Sequence, residues 1–212
     1  MKKSFLRNSL LVGLTFTLFS FDTPTSWFNA GSKPKSYEMG IEKGAGQNGK
    51  NAATIKSIDK KIDGFGTLMQ QCVPDKYLGK KIKMSAFVKT ENVTNWAGLW
   101  LRVDQKGSNQ PLSFDNMGDR PIKGTTNWTK YEIVLDVPNT ASLIAYGALI
   151  DGTGQIWFDN ITFEVVSDAS ASRATRRGPM TLSKARRRSR PPLGRLQPCA
   201  ESPTAPGRLT AR

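Results

Sequence analysis

The sequence predicts an all-β chain folded as an antiparallel β-sandwich or jelly roll, and three observations carry that prediction. About eight short apolar runs follow one another along the middle of the chain, separated by Gly, Pro, Asn and Asp clusters. Several of these runs alternate apolar and polar residues with a period of two, the mark of a strand lying between two environments. No stretch of this region carries a convincing helical period.

The strands are expected at 36–41, 52–58, 66–72, 81–90, 97–104, 129–137, 143–150 and 155–166. The fifth is the most telling. Ala97, Leu99, Leu101 and Val103 point one way, while Gly98, Trp100, Arg102 and Asp104 point the other. The sixth places Tyr131, Ile133, Leu135 and Val137 on a dry face and Glu132, Val134 and Asp136 on a mixed one. In the last, Trp157, Ile161, Phe163 and Val165 share one expected face, and Ile156, Phe158, Asn160, Thr162 and Glu164 the other. The glycine-rich stretch 44–49 lacks a Gly-Lys-Ser/Thr ending and opens no helix, so it is not read as a phosphate loop.

Composition divides the chain further. Residues 1–21 pair a basic start (Lys2, Lys3, Arg7) with an apolar run from Leu10 to Phe21, too short to span a bilayer comfortably but suited to a signal peptide. The expected location is outside the cytoplasm, periplasmic or extracellular, with the cytoplasm as the alternative; the competing reading of the segment is a short buried or membrane-associated N-terminal helix. Residues 22–35 read as a linker, 36–166 as the sandwich, and 167–212 as a disordered basic tail. The net charge of +14 lies mostly in that tail, which holds 11 basic and 2 acidic residues, against 17 and 14 in residues 29–166. Fifteen of those 17 basic residues are Lys, whereas 10 of the 11 in the tail are Arg, a switch that fits a frameshift or read-through junction. A basic arm for nucleic acid or anionic lipid is the alternative for the tail. The domain itself is nearly balanced and predicts no nucleic-acid partner and no stable membrane insertion.

Histidine is absent, which removes the commonest general base and metal ligand, and with them Ser–His–Asp and Cys–His catalysis. Cys72 and Cys199 lie in different segments and make no CxxC zinc pair. A carboxylate pair such as Asp104 and Asp115 is a conceivable glycosidase arrangement, but nothing in the sequence sets their separation. A binding role needs a flat aromatic surface beside planar polar groups. Trp100, Arg102 and Asp104 offer that set on one strand face, with Asp115 and Asn116 in a nearby turn and Tyr146 as a further platform. The other reading makes Trp100 and Tyr146 packing residues and Arg102 a partner of Asp104 or Asp115.

Five segments in order carry a resemblance: Gly98-Leu-Trp-Leu-Arg-Val-Asp104, Phe114-Asp-Asn-Met117, Thr126-Asn-Trp128, Val134-Leu-Asp-Val-Pro138 and Gly152-Thr-Gly-Gln-Ile-Trp-Phe-Asp-Asn160. Over about residues 31–166 the chain resembles a bacterial family of small β-sandwich proteins, often uncharacterised or labelled transcriptional regulators. That family is similar to galactose-binding-like jelly rolls, the fold of many carbohydrate-binding modules. The resemblance implies a non-catalytic module for a carbohydrate or similar polyhydroxylated ligand, or else a sensory or protein-interaction domain of a regulatory system. It also implies a structural calcium at Asp159, with Glu38 or Glu42 as neighbours, and no other cofactor. The regulator label would require a DNA-binding helix-turn-helix, for which the sequence has no candidate.

Overall fold

The computed structural model describes residues 26–169, so the expected signal segment and all but the first residues of the basic tail lie outside the described residues. Nine antiparallel strands form: β1 (Phe28–Gly31), β2 (Tyr37–Glu42), β3 (Ala52–Ser57), β4 (Phe65–Cys72), β5 (Lys80–Asp104), β6 (Ser113–Asp115), β7 (Ile122–Val137), β8 (Leu143–Asp151) and β9 (Gln155–Asp168). They are hydrogen-bonded in the order β1-β4-β8-β5-β9-β3-β2, with β6 and β7 also on β5.

The sandwich arises because one strand serves both layers. Trp96–Asp104 of β5 pairs with β8, whereas Lys80–Glu91 pairs with β9. One layer is therefore β1-β4-β8 with the C-terminal half of β5 and β6; the other is β2-β3-β9 with its N-terminal half and β7. Two separate strands were expected here, at 81–90 and 97–104. They are a single 25-residue strand, bent where its register against β7 shifts between Val88 and Ala97. Asn92 sits at the bend with φ +52, a left-handed conformation that asparagine tolerates better than most residues.

The alternation in this strand is as predicted: Ala97, Leu99, Leu101 and Val103 are fully buried in the main core. In β9 it is not. Ile156 and Phe158 face that core and Trp157 faces out, and Asn160 at φ +55 then shifts the pattern so that Ile161 and Phe163 also pack inward. A strict period of two cannot foresee such a bulge. The domain also begins earlier than expected. Residues 28–31 of the expected linker pair with β4, and Trp27 packs edge-on to Tyr146 at 5.6 Å and against Phe158.

Tyr37 ties the layers at one end, its hydroxyl donating to the carbonyls of Gly64 (3.0 Å) and Gly152 (2.7 Å). Burial, aided by the negative charge of Asp151, pushes its pKa above the ordinary tyrosine range, and burial does the same for Tyr146. An unfolded tyrosine releases its proton near pH 10. The folded protein holds these protons to higher pH, so their contribution is complete below about pH 10 and is lost as pH climbs past it. The urea midpoint is expected to fall between about pH 9.5 and 11, and Tyr37→Phe should flatten part of that fall.

Candidate ligand-binding face

Residues paired in register point to the same side of a sheet, which assigns every predicted site residue to a face. On the outer side of the first layer, Trp100 stands opposite Gly147 and Met69, Gly98 opposite Leu149 and Thr67, and Arg102 opposite Ala145 and Gln71. Trp100, Arg102 and Asp104 therefore do share one face, with Trp96 beside them.

Trp100 is nevertheless packed away. Its indole N–H donates to the Thr67 hydroxyl (2.8 Å), two strands over, and Thr67 donates to the Ala148 carbonyl (2.7 Å). To reach Thr67 the ring must lie across β8. Met69, Ala145 and Leu149 join it in a second apolar cluster, rimmed by Phe28, Ala30, Phe65 and Trp96. Only 7% of Trp100 is exposed, so it roofs the sheet and offers no open stacking surface.

Arg102 and Asp104 form an ion pair, Nε to Oδ2 at 2.9 Å, with the arginine side chain 39% and the aspartate side chain 15% exposed. Asp104 thus aims the guanidinium, whose terminal nitrogens make no hydrogen bond among the described residues. β6 supplies the residue that sequence reasoning missed. Phe114 pairs in register with Arg102 and is 50% exposed, which sets a bare ring beside that guanidinium. The signal was present in the Phe114-Asp115-Asn116 segment, but a three-residue strand is too short for a period to show.

The remaining candidates fall elsewhere. Asp115 pairs with Leu101, so it takes the inward-facing side at the edge, where Arg120 grips it (2.6 Å) and also reaches the Glu132 carbonyl of β7. That hydrogen bond to Asp115 leads the causes that raise the Arg120 pKa. Asp104 and Asp115 thus lie on opposite sides, each held by an arginine, and the glycosidase pairing is not formed. The Asn116 side chain caps the Gly118 N–H (3.1 Å), and the 116–117 backbone crosses the face beside Gly98. Tyr146 is a core residue, donating to Gln70 and fully buried on the far side of β8 from Trp100. It is no ligand platform, because the even-numbered residues of that strand face inward.

Asp159 is fully buried, with Oδ1 accepting the Asn160 N–H (2.6 Å) and Oδ2 without a partner. Calcium takes six to eight oxygens. No group of three acidic, Cys or His side chains gathers among the described residues, and Glu42 is engaged by Trp157 Nε1 (2.7 Å) and Gln155 Nε2 (3.0 Å). One carboxylate does not make the donor set, so the expected Glu42 neighbour is corrected and the surroundings of Asp159 do not fit a calcium ion. Among the described residues no helix is long and apolar enough to cross a membrane.

No family model matches the chain. It is 44% identical over 147 residues to the uncharacterized HTH-type transcriptional regulator YbfP of Bacillus subtilis, covering 69% of this chain and 50% of that protein. The chain therefore spans about half the length of that curated relative, and the described residues contain no α-helix that a helix-turn-helix would need. Among solved structures it is similar to the enzymatically active domain of tailspike protein 4 of bacteriophage CBA120, with TM-score 0.51, 12% identity, and 67% of this chain and 20% of that one covered. It is also similar to the CBM22-1 xylan-binding domain of Paenibacillus barcinonensis Xyn10C, with TM-score 0.49, 14% identity, and 70% and 90% covered. By sequence, then, the chain is a relative of a bacterial protein labelled a regulator, and by architecture it is an antiparallel jelly-roll β-sandwich.

Proposed function

We propose that the domain is a non-catalytic binding module whose ligand, a carbohydrate or similar polyhydroxylated molecule, docks on the outer face of the first layer at Phe114 and Arg102. The observation that carries this reading is the pairing of an exposed ring with an aimed guanidinium. The ring offers an apolar surface to the C–H face of a sugar, and the terminal nitrogens of Arg102 donate to its oxygens. The apolar cluster around Trp100 keeps the underlying sheet rigid, which limits the entropy lost on binding. Both carboxylates that the register puts on this face are engaged, Asp104 by Arg102 and Asp151 by the Asn95 amide, which favours binding over catalysis.

Affinity electrophoresis of the protein against a panel of soluble plant and microbial polysaccharides tests the reading. Phe114→Ala and Arg102→Gln are each expected to weaken retention by about tenfold or more. Removing a hydrogen bond from a charged donor costs about 1.5–3 kcal/mol, and tenfold corresponds to about 1.4 kcal/mol. Both side chains are partly exposed, so the melting temperature should hardly move. Retention unchanged in both variants would place the site elsewhere.

The label of the curated relative favours a second reading, a sensory or protein-interaction domain retained in the cytoplasm. The basic start and apolar run of residues 1–21 instead favour an exported protein. Cell fractionation separates the two: a protein found wholly in the cytoplasm sinks the exported sugar-binder.

A further inference from the structure

We propose that the opposite layer carries a second and independent site, for a small zwitterion of the α-amino-acid class. At one end of this layer the end of β3, the bend of β5 and the β8–β9 turn border a shallow, open concavity of about 170 Å³, lined by Lys56, Ser57, Glu91, Asn92, Gly154 and Gln155. The register explains how these residues meet. Lys56 pairs with Gln155, and Gln155 with Glu91, so a cation and an anion stand on the same face with one strand between them.

Neither charge is neutralised by an ion pair within the described residues. Lys56 has none, although Glu38 stands beside it in register. Glu91 accepts only a long 3.5 Å contact from the Asn92 amide. The residue between them cannot bridge them with its amide N–H groups. Gln155 Nε2 is already committed to Glu42 (3.0 Å) and Thr54 (2.9 Å).

The backbone beside these charges is tightly fitted. Asn92 has φ +52 and Gly154 φ +123, and a β-carbon on Gly154 would lie 2.7 Å from both the Asn92 carbonyl oxygen and Val93 Cα. Ser57 Oγ fixes the Gly154 N–H at 3.0 Å. The close approach of β5 to the β8–β9 turn thus requires glycine at 154.

Size and charge then select the ligand class. The α-carbons of Lys56 and Glu91 are two strand spacings apart, about 9.5 Å. An α-amino acid separates its ammonium and carboxylate by about 3 Å, and two charge-assisted hydrogen bonds add about 2.8 Å each. Both side chains rise from one face on flexible stems, so their charged ends can close on a molecule of that length lying between them, with Glu91 on the ammonium and Lys56 on the carboxylate. No aromatic ring lines the concavity, so it lacks the flat surface on which the sugar reading of the first layer depends.

The test uses the ¹⁵N-labelled full chain, titrated with a panel of neutral α-amino acids from glycine to glutamine, and with N-acetyl-L-alanine and L-alanine amide. At least one amino acid is expected to shift the Asn92, Gly154 and Gln155 amides saturably, while the two analogues bind at least fivefold more weakly. Lys56→Gln and Glu91→Gln should each weaken binding at least fivefold, and Phe114→Ala should leave it unchanged. The proposal is overturned if no amino acid moves these amides, if the single-charge analogues bind equally well, or if neither charge-removing variant changes the affinity. Both charged side chains are exposed, so these variants retain the fold, and failure of the sugar screen leaves this result standing or falling by itself.

Discussion

Trp100→Ala is expected to destabilise the domain by about 3–5 kcal/mol, the usual cost of removing a large buried aromatic side chain. The substitution empties the centre of the outer cluster, leaving Met69, Ala145 and Leu149 facing a void, and takes from Thr67 the N–H it accepts. Thr67 keeps its own donation to Ala148, so the loss is chiefly one of packing. For a domain of this size the melting temperature should drop by about 10–20 °C, measured by thermal circular dichroism. A drop below about 3 °C would mean that the indole is not packed as described. This substitution therefore makes a poor control for ligand binding, because any fall in affinity is confounded with lost structure; Phe114→Ala is the clean one.

Gly147→Ala should be nearly as damaging for the opposite reason. A β-carbon there would lie 2.9 Å from Met69 Cα and closer still to the Leu68 carbonyl, both main-chain atoms of the neighbouring strand. Neither is a side-chain end that can swing away. The added methyl also occupies the side of β8 that the Trp100 indole crosses. Overpacking costs about 1–3 kcal/mol in a core that adjusts, and a site bounded by paired backbone on β4 adjusts little. Chemical denaturation should show the midpoint lowered by an amount matching at least about 2 kcal/mol.

The architecture was legible because burial imposes period two wherever a strand faces a core. Ala97 to Val103 and Tyr131 to Val137 announced their faces for that reason. Single residues that break the period were not legible. Asn160 inverts half of β9, and the bend at Asn92 turns two expected strands into one, yet in sequence each is an ordinary asparagine. Edge strands escaped for another reason: β1 and β6 are four and three residues long, and their identity comes from their partners. The face carrying Trp100, Arg102 and Asp104 was readable from spacing alone. Which of its members meets solvent was not, because the depth of Trp100 depends on Thr67, Met69, Ala145 and Leu149 from two other strands. Tyr146 was misplaced because its parity against Trp100 exists only across the β5–β8 register.

The sharing of β5 between the layers also governs how the molecule can form. Its partners β8 and β9 begin at residues 143 and 155, so both layers wait on the last quarter of the described chain for their central pairings. β3 and β4 likewise find their inner neighbours only there. Non-local pairing of this kind has high contact order and slow, millisecond-to-second folding. Among the described strands, a chain emerging from the ribosome can form only the β2–β3, β1–β4, β5–β6 and β5–β7 pairs until β8 and β9 appear. Were the protein secreted, that ordering would keep it threadable, because the sandwich cannot close before its final strand is made.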